Sequence, residues 1–172
     1  MAISVQKGEA VLSSDSDTIT ITEVDLNRSF VIIDSSTNTA TGSSGYQSWG
    51  VHGKLTDSTT LTIQRDGGVA DAQVTWTVVT CDQSEFLVVG RGTTTISTGS
   101  TTGTSDVAES DPNRTMLIYG SRGNFGTGSS NLGFATLEYT TSVLLTGTRN
   151  ATSTTRTYVF WEAIEWSLES GV

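Results

Sequence analysis

Apolar and polar residues alternate in short runs along this chain. Thr18-Ile19-Thr20-Ile21-Thr22 and Thr60-Leu61-Thr62-Ile63-Gln64 place an apolar side chain at every second position, the two-residue period of a strand with one face buried. Phe30-Val31-Ile32-Ile33 is apolar throughout, which suits a strand inside a sandwich. Val74 to Val79 carries Trp76 among its apolar residues, and Trp49 to Leu55 is a further strand candidate. No long stretch holds the i, i+3, i+4, i+7 spacing of an amphipathic helix. Arg65-Asp66-Gly67-Gly68 reads as a hairpin turn, because Asp-Gly and Gly-Gly favour positive φ.

The same order of runs returns further along, at a shift of 84 to 86 residues. Val5-Gln6-Lys7-Gly8 corresponds to Val89-Gly90-Arg91-Gly92, and Asn27-Arg28-Ser29 to Asn113-Arg114-Thr115, each of the latter pair leading into an apolar run. Leu61 and Arg65 correspond to Leu145 and Arg149, and Val74–Val79 to Val159–Ile164, with Trp76 and Trp161 in the same relative place. In the second copy, strands are predicted at Thr93–Ile96, Met116–Tyr119, Gly133–Tyr139, Val143–Thr148 and Thr157–Trp166, with a long polar loop over Ser97–Glu109 and a turn at Asp111-Pro112-Asn113. The expectation is an all-β protein of two tandem similar β-sandwich or barrel-like modules of about six strands each, spanning residues 1–86 and 87–172. A module of this size buries only roughly 60–65% of its unfolded surface. The join, Glu85-Phe86-Leu87-Val88-Val89, is apolar instead of a Pro/Gly/Ser linker, so the copies are expected to pack on each other. The segments Ser35–Gly45 and Ser121–Asn131 are rich in Gly, Ser and Thr, lack large aliphatic residues and recur at the same place in each copy. They read as loops that cannot build a core of their own.

Composition agrees with strands and turns. Ser and Thr make up 54 of 172 residues, with 18 Gly and a single Pro. Thr, Val and Ile are stiff at the first side-chain torsion and fit pleated strands. Net charge is −9 with only nine scattered Lys and Arg, which argues against nucleic acid and anionic membrane as partners. The charge is uneven: residues 1–86 carry 11 acidic and 4 basic groups, and residues 87–172 carry 7 and 5. On charge alone, the second copy is expected to face other protein and the first to face solvent. Cys81 is the sole cysteine and reads as a small buried thiol. The start of the chain lacks the apolar run of a signal peptide, so synthesis in a host cytoplasm is expected.

Candidate chemistry is sparse. His52, the sole histidine, has no spaced partner set and reads as a strand or interface residue. Asp15-Ser16-Asp17 lacks the Gly and the distant Glu of a calcium loop and reads as a solvated turn. Gly123-Asn124-Phe125-Gly126-Thr127-Gly128 is followed by neither a helix start nor a Lys, which a phosphate loop requires. No catalytic residue, cofactor or metal ligand is assigned, and the chain is not expected to be an enzyme. Trp76 and Trp161 sit mid-strand and read as core or subunit interface. Trp166, Phe125, Tyr46 and Trp49 are the candidate partner contacts, Trp166 foremost because it lies near the end of the chain.

The opening Val5–Gly8 segment, the alternating Leu61–Gln64 strand and the closing Val74–Val79 strand together resemble a β module of tailed-phage virion structural proteins. The resemblance covers both copies, although Phe160-Trp161-Glu162 departs from Thr75-Trp76-Thr77. It implies a β-sandwich protein of the head decoration or cement type, placed on the capsid surface of a virion. Its partners would be the major capsid protein and further copies of itself, a homotrimer being the natural oligomer. The alternative is a receptor- or carbohydrate-binding module of a tail fibre or appendage.

Overall fold

A computed structural model describes residues 3–37, 50–65, 71–81, 86–123 and 135–166. Among these residues the chain forms twelve strands. The first six are β1 (Ile3–Leu12), β2 (Ser16–Thr20), β3 (Ser29–Thr37), β4 (His52–Asp57), β5 (Thr60–Gln64) and β6 (Ala72–Cys81). The second six are β7 (Phe86–Ile96), β8 (Thr102–Asp106), β9 (Thr115–Gly123), β10 (Thr136–Thr141), β11 (Leu144–Thr148) and β12 (Thr157–Trp166). A 3-10 turn, Leu26–Arg28, precedes β3.

The strands make four three-stranded antiparallel sheets, ordered β1-β6-β3 and β2-β5-β4, then β7-β12-β9 and β8-β11-β10. The second pair repeats the first strand for strand, so the protein is two tandem six-stranded β-sandwich modules. Equivalent residues also do equivalent work. Gly8 pairs with Trp76 and Gly92 with Trp161, and at each position a Cβ would lie 2.6 Å from the indole Cζ2. Glycine is needed at both because the indole lies flat on the neighbouring backbone. The hydroxyls of Ser29 and Thr115 donate to the carbonyls of Asp25 and Asp111, each at 2.7 Å. Both serve the polar turn before the third strand. In the second turn, the Asn113 N–H and then Arg114 hold the Asp111 carboxyl below its ordinary range.

Two buried arginines, Arg65 and Arg149, hold equivalent turns in the two modules. Arg65 Nε donates to Ser14 O at 3.0 Å and Arg149 Nε to Ser100 O at 2.9 Å. Each core lies between its own two sheets, with Leu12, Leu61, Ile63 and Trp76 in the first and Ile96, Leu145, Val159 and Trp161 in the second. The strict alternation of β6, in which Ala72, Val74, Trp76 and Val78 point inward, is what the two-residue period requires.

Several boundaries depart from expectation. The polar stretch Ser97–Glu109 is not simply a loop, for it contains β8, paired residue by residue with β11. With Thr102, Thr104 and Asp106 facing out and Gly103 and Ser105 facing in, it shows no apolar alternation, and its ladder is supplied by β11. The inward Ser105 hydroxyl meets that of Thr94 at 2.6 Å. β3 and β9 run on into the segments that begin at Ser35 and Ser121, because β6 and β12 continue to offer partners as far as Ala72 and Thr157. β4 and β10 begin later than read, at His52 and Thr136. Cys81 is buried, as its type favours. The turn at Asp66–Gly68, the glycine-rich run Asn124–Gly128, and Tyr46, Trp49 and Phe125 lie outside the described residues.

Candidate functional site

The two modules meet through an edge laid on a face. The edge is the border of the first sandwich where β3 and β4 run side by side. The face is the outer surface of β7-β12-β9. Strand register fixes which side chains occupy it: Trp161 points into the second core, so its neighbours Phe160 and Glu162 point out. Arg91 pairs with Glu162 across the strands and lies on the same side.

Glu162 is the centre of this contact. Its Oε1 accepts from Arg91 Nε at 2.7 Å, and its Oε2 accepts the backbone N–H of Val31, on the free edge of β3, at 2.8 Å. Arg91 Nη2 donates in turn to the carbonyl of Ser29 on the same edge. An exposed strand edge thus has two of its backbone groups capped by a charged pair from the other module, one of the ways proteins blunt such edges. Burial raises the Glu162 carboxyl above its ordinary value, with Arg91 and the Val31 N–H pulling the other way.

Next to the ion pair, the ring of His52 stacks on Phe160, with centroids 3.3 Å apart and planes 6° from parallel. On the other side, Phe30 and Cys81 from the first module pack with Phe86, Val88 and Ile164 from the second. The apolar join foreseen in the sequence is part of this packing, since Phe86 opens β7. A cleft of about 300 Å³ lies along the contact, lined by Ile33, Lys54, Gly92 and Tyr119 among others.

The departure of Phe160-Trp161-Glu162 from Thr75-Trp76-Thr77 has its physical reason here. The equivalent face of the first module, the outer side of β1-β6-β3, carries Thr75 and Thr77 where the second carries Phe160 and Glu162. Thr75 is exposed. Ile3, Val5, Val11 and Ile32 are also exposed on this side of the sheet, and a shallow groove bordered by Glu9, Val11, Asp34 and Thr75 runs across it. Apolar exposure is therefore substantial on the more acidic module, which charge alone would assign to solvent.

Of the four candidate contact residues, Trp166 is described. It ends β12 at 41% exposure. Its ring stands edge-on to Phe86 at 5.8 Å between centroids. It borders the module interface without being sealed in it. Trp76 and Trp161 are buried core. His52 is buried at the interface, and Asp15 and Asp17 are exposed. Among the described residues no group of three or more His, Cys, Asp or Glu is placed to hold a metal ion. The Arg91–Glu162 pair was not singled out from sequence, although a signal was available: it falls where two otherwise parallel copies diverge.

Comparison with models of protein families, with curated proteins and with solved structures gives no match.

Proposed function

We propose that this protein is a structural component of a phage-like virion, a decoration or cement protein that binds the assembled head through its strand edges and outer sheet faces. The observation that carries the reading is the exposed apolar side of β1-β6-β3, with Ile3, Val5, Val11 and Ile32. It belongs to a molecule whose own modules adhere by laying an edge on the corresponding face. A fold whose internal cohesion uses such contacts is suited to making more of them with neighbouring protein. Burying apolar surface yields roughly 25 cal/mol per Å², and binding only the assembled shell stabilises that shell by mass action. The major capsid protein is the partner expected for such a role. Among the described residues no helix is long and apolar enough to cross a membrane, and the net charge of −9 disfavours nucleic acid as a partner.

Half-exposed Trp166 favours a second reading, a receptor- or carbohydrate-binding module of a tail appendage, since an accessible indole beside an aromatic neighbour is a usable stacking surface. Cryo-electron microscopy of particles from the source virus decides between them. The decoration reading expects this two-sandwich fold in ordered density across joints between capsid subunits. Its absence from the head, together with specific glycan binding by the purified protein, would replace that reading with the second.

A further inference from the structure

We infer that the exposed outer face of β1-β6-β3 binds the β9/β10 edge of a second copy of this chain, so that the contact between modules is repeated head to tail between molecules. This does not depend on the virion reading, and a second copy on this face would exclude a capsid partner from it. It follows from the duplication: each module has both a face and an edge, and within the chain one face and one edge are joined, together with the corner of the first module's face at Phe30 and Cys81. The first module's β3/β4 edge covers the second module's face. Among the described residues, the rest of the first module's face, where Ile3, Val5, Val11 and Ile32 are exposed, and the second module's edge are left over, and they correspond to the two surfaces already joined.

The leftover surfaces retain the chemistry of the joined ones in a weaker form. Within the chain, Arg91 donates to the carbonyl of Ser29 and Glu162 accepts from the N–H of Val31. Lys7 takes the place of Arg91 and Thr77 that of Glu162, while Thr115 and Leu117 take the places of Ser29 and Val31. Lys7 and Thr77 are cross-strand partners, as Arg91 and Glu162 are. Leu117 opposes Ala163 in β12 just as Val31 opposes Val78 in β6, so its N–H points off the free edge of β9 in the same way. A cation again meets the carbonyl, and a hydroxyl oxygen can accept where the carboxylate does. The stacked pair His52 and Phe160 becomes Thr136 and Thr75, both exposed. The apolar share comes from Val11 and Ile32 on the face and from Met116, the equivalent of Phe30, on the edge, all of them exposed. Such a contact is heterologous, giving rings if the rotation closes and filaments if it does not.

The test is sedimentation of the whole chain and of two variants, each blocking one surface. Thr75→Arg fills the face, where Glu9 and Asp34, its cross-strand neighbours, accommodate the new charge within the monomer. Thr136→Arg fills the edge. The wild-type average mass should rise at least twofold above 18.2 kDa as concentration goes from about 10 μM to about 1 mM. Each variant alone should stay at monomer mass, because neither can both give and receive the contact by way of an intact pair. An equimolar mixture should reach the mass of two chains and go no further. Near-UV circular dichroism checks that Trp76 and Trp161 stay packed, and Val11→Arg with Met116→Arg serves as a second pair if either variant loses that signal. A wild-type chain that stays monomeric throughout overturns the inference. So does a mixture that fails to pair, or an edge variant that still associates while the face variant does not, which would mean two faces meeting symmetrically.

Discussion

Glu162 and Val31 lie 131 residues apart in the chain and 2.8 Å apart in space, carboxylate oxygen to backbone nitrogen. This one bond joins the outer face of one sandwich to the strand edge of the other. Because Arg91 holds the second carboxylate oxygen, removing the side chain should leave both a guanidinium and an N–H without their acceptor. Glu162→Ala is expected to cost about 2 kcal/mol, less than for a fully buried pair because Arg91 is partly solvated. Glu162→Gln should cost less than the alanine variant, since an amide oxygen can still accept from Val31. Urea unfolding of both variants checks the order.

The same residue sets a pH dependence. Its carboxyl titrates above the ordinary value of 4.5 in the folded protein, burial being the largest cause. The native state therefore holds this proton more tightly than the unfolded chain does. The stability it contributes is fully present below 4.5 and is lost as pH rises through the raised value. Glu162→Gln carries no such proton, so its stability relative to wild type should improve steadily across that window. A flat difference between the two proteins in a pH series of denaturation curves would contradict this.

Gly8 and Gly92 should be equally intolerant of a methyl group. A Cβ at either would meet an indole carbon at 2.6 Å, and the ring cannot retreat without disturbing the core. Gly8→Ala and Gly92→Ala are each expected to cost about 1–3 kcal/mol through overpacking. At Gly120 nothing lies within 4 Å of the same atom, and its alanine variant should change stability by less than about 0.5 kcal/mol. Thermal melts of the three variants make the comparison.

Arg149 ties the β7–β8 turn to the chain leading into β12. Besides Ser100, its guanidinium donates to the carbonyls of Ser97 and Thr155 and to the Thr157 hydroxyl. A lysine there offers a single ammonium in place of a planar fork. Arg149→Lys should cost about 2 kcal/mol, from several partly buried carbonyls that lose their donors. Hydrogen exchange should speed up first around Ser97–Thr101, where Arg149 holds the turn.

His52 and Phe160 should show direct energetic coupling. A double-mutant cycle with His52→Ala and Phe160→Ala is expected to give about 1 kcal/mol of interaction energy, the value typical of a stacked aromatic pair. A coupling near zero would mean that the rings are neighbours without being partners.

Much of the architecture was legible in the chain. The alternation in Thr18–Thr22 and Thr60–Gln64 marked β2 and β5, and the paired Trp76 and Trp161 marked the closing strand of each copy. β8 was missed because Thr102–Asp106 has no apolar alternation to detect; its pairing with β11 makes it a strand. Of the candidate contacts, Trp166 has a described place, beside Phe86. The residues that hold the modules together, Arg91 and Glu162, carried one signal in the sequence, the replacement of Thr77 by Glu162 at the equivalent place of the second copy. Charged residues in strands usually face water, and what sets these apart is a strand edge that lies 62 positions from Arg91 and 131 from Glu162.

The order of apolar and polar side chains by itself determined that this protein is all-β and that the plan occurs twice, because the two-residue period of a pleated strand is a local property, displayed by a short window wherever apolar and polar residues alternate. Which face is covered and which stands open was decided only by tertiary structure. Two copies with the same period have equivalent faces until one is laid against the other. That choice depends on a few outward side chains, and their worth is defined by what they touch.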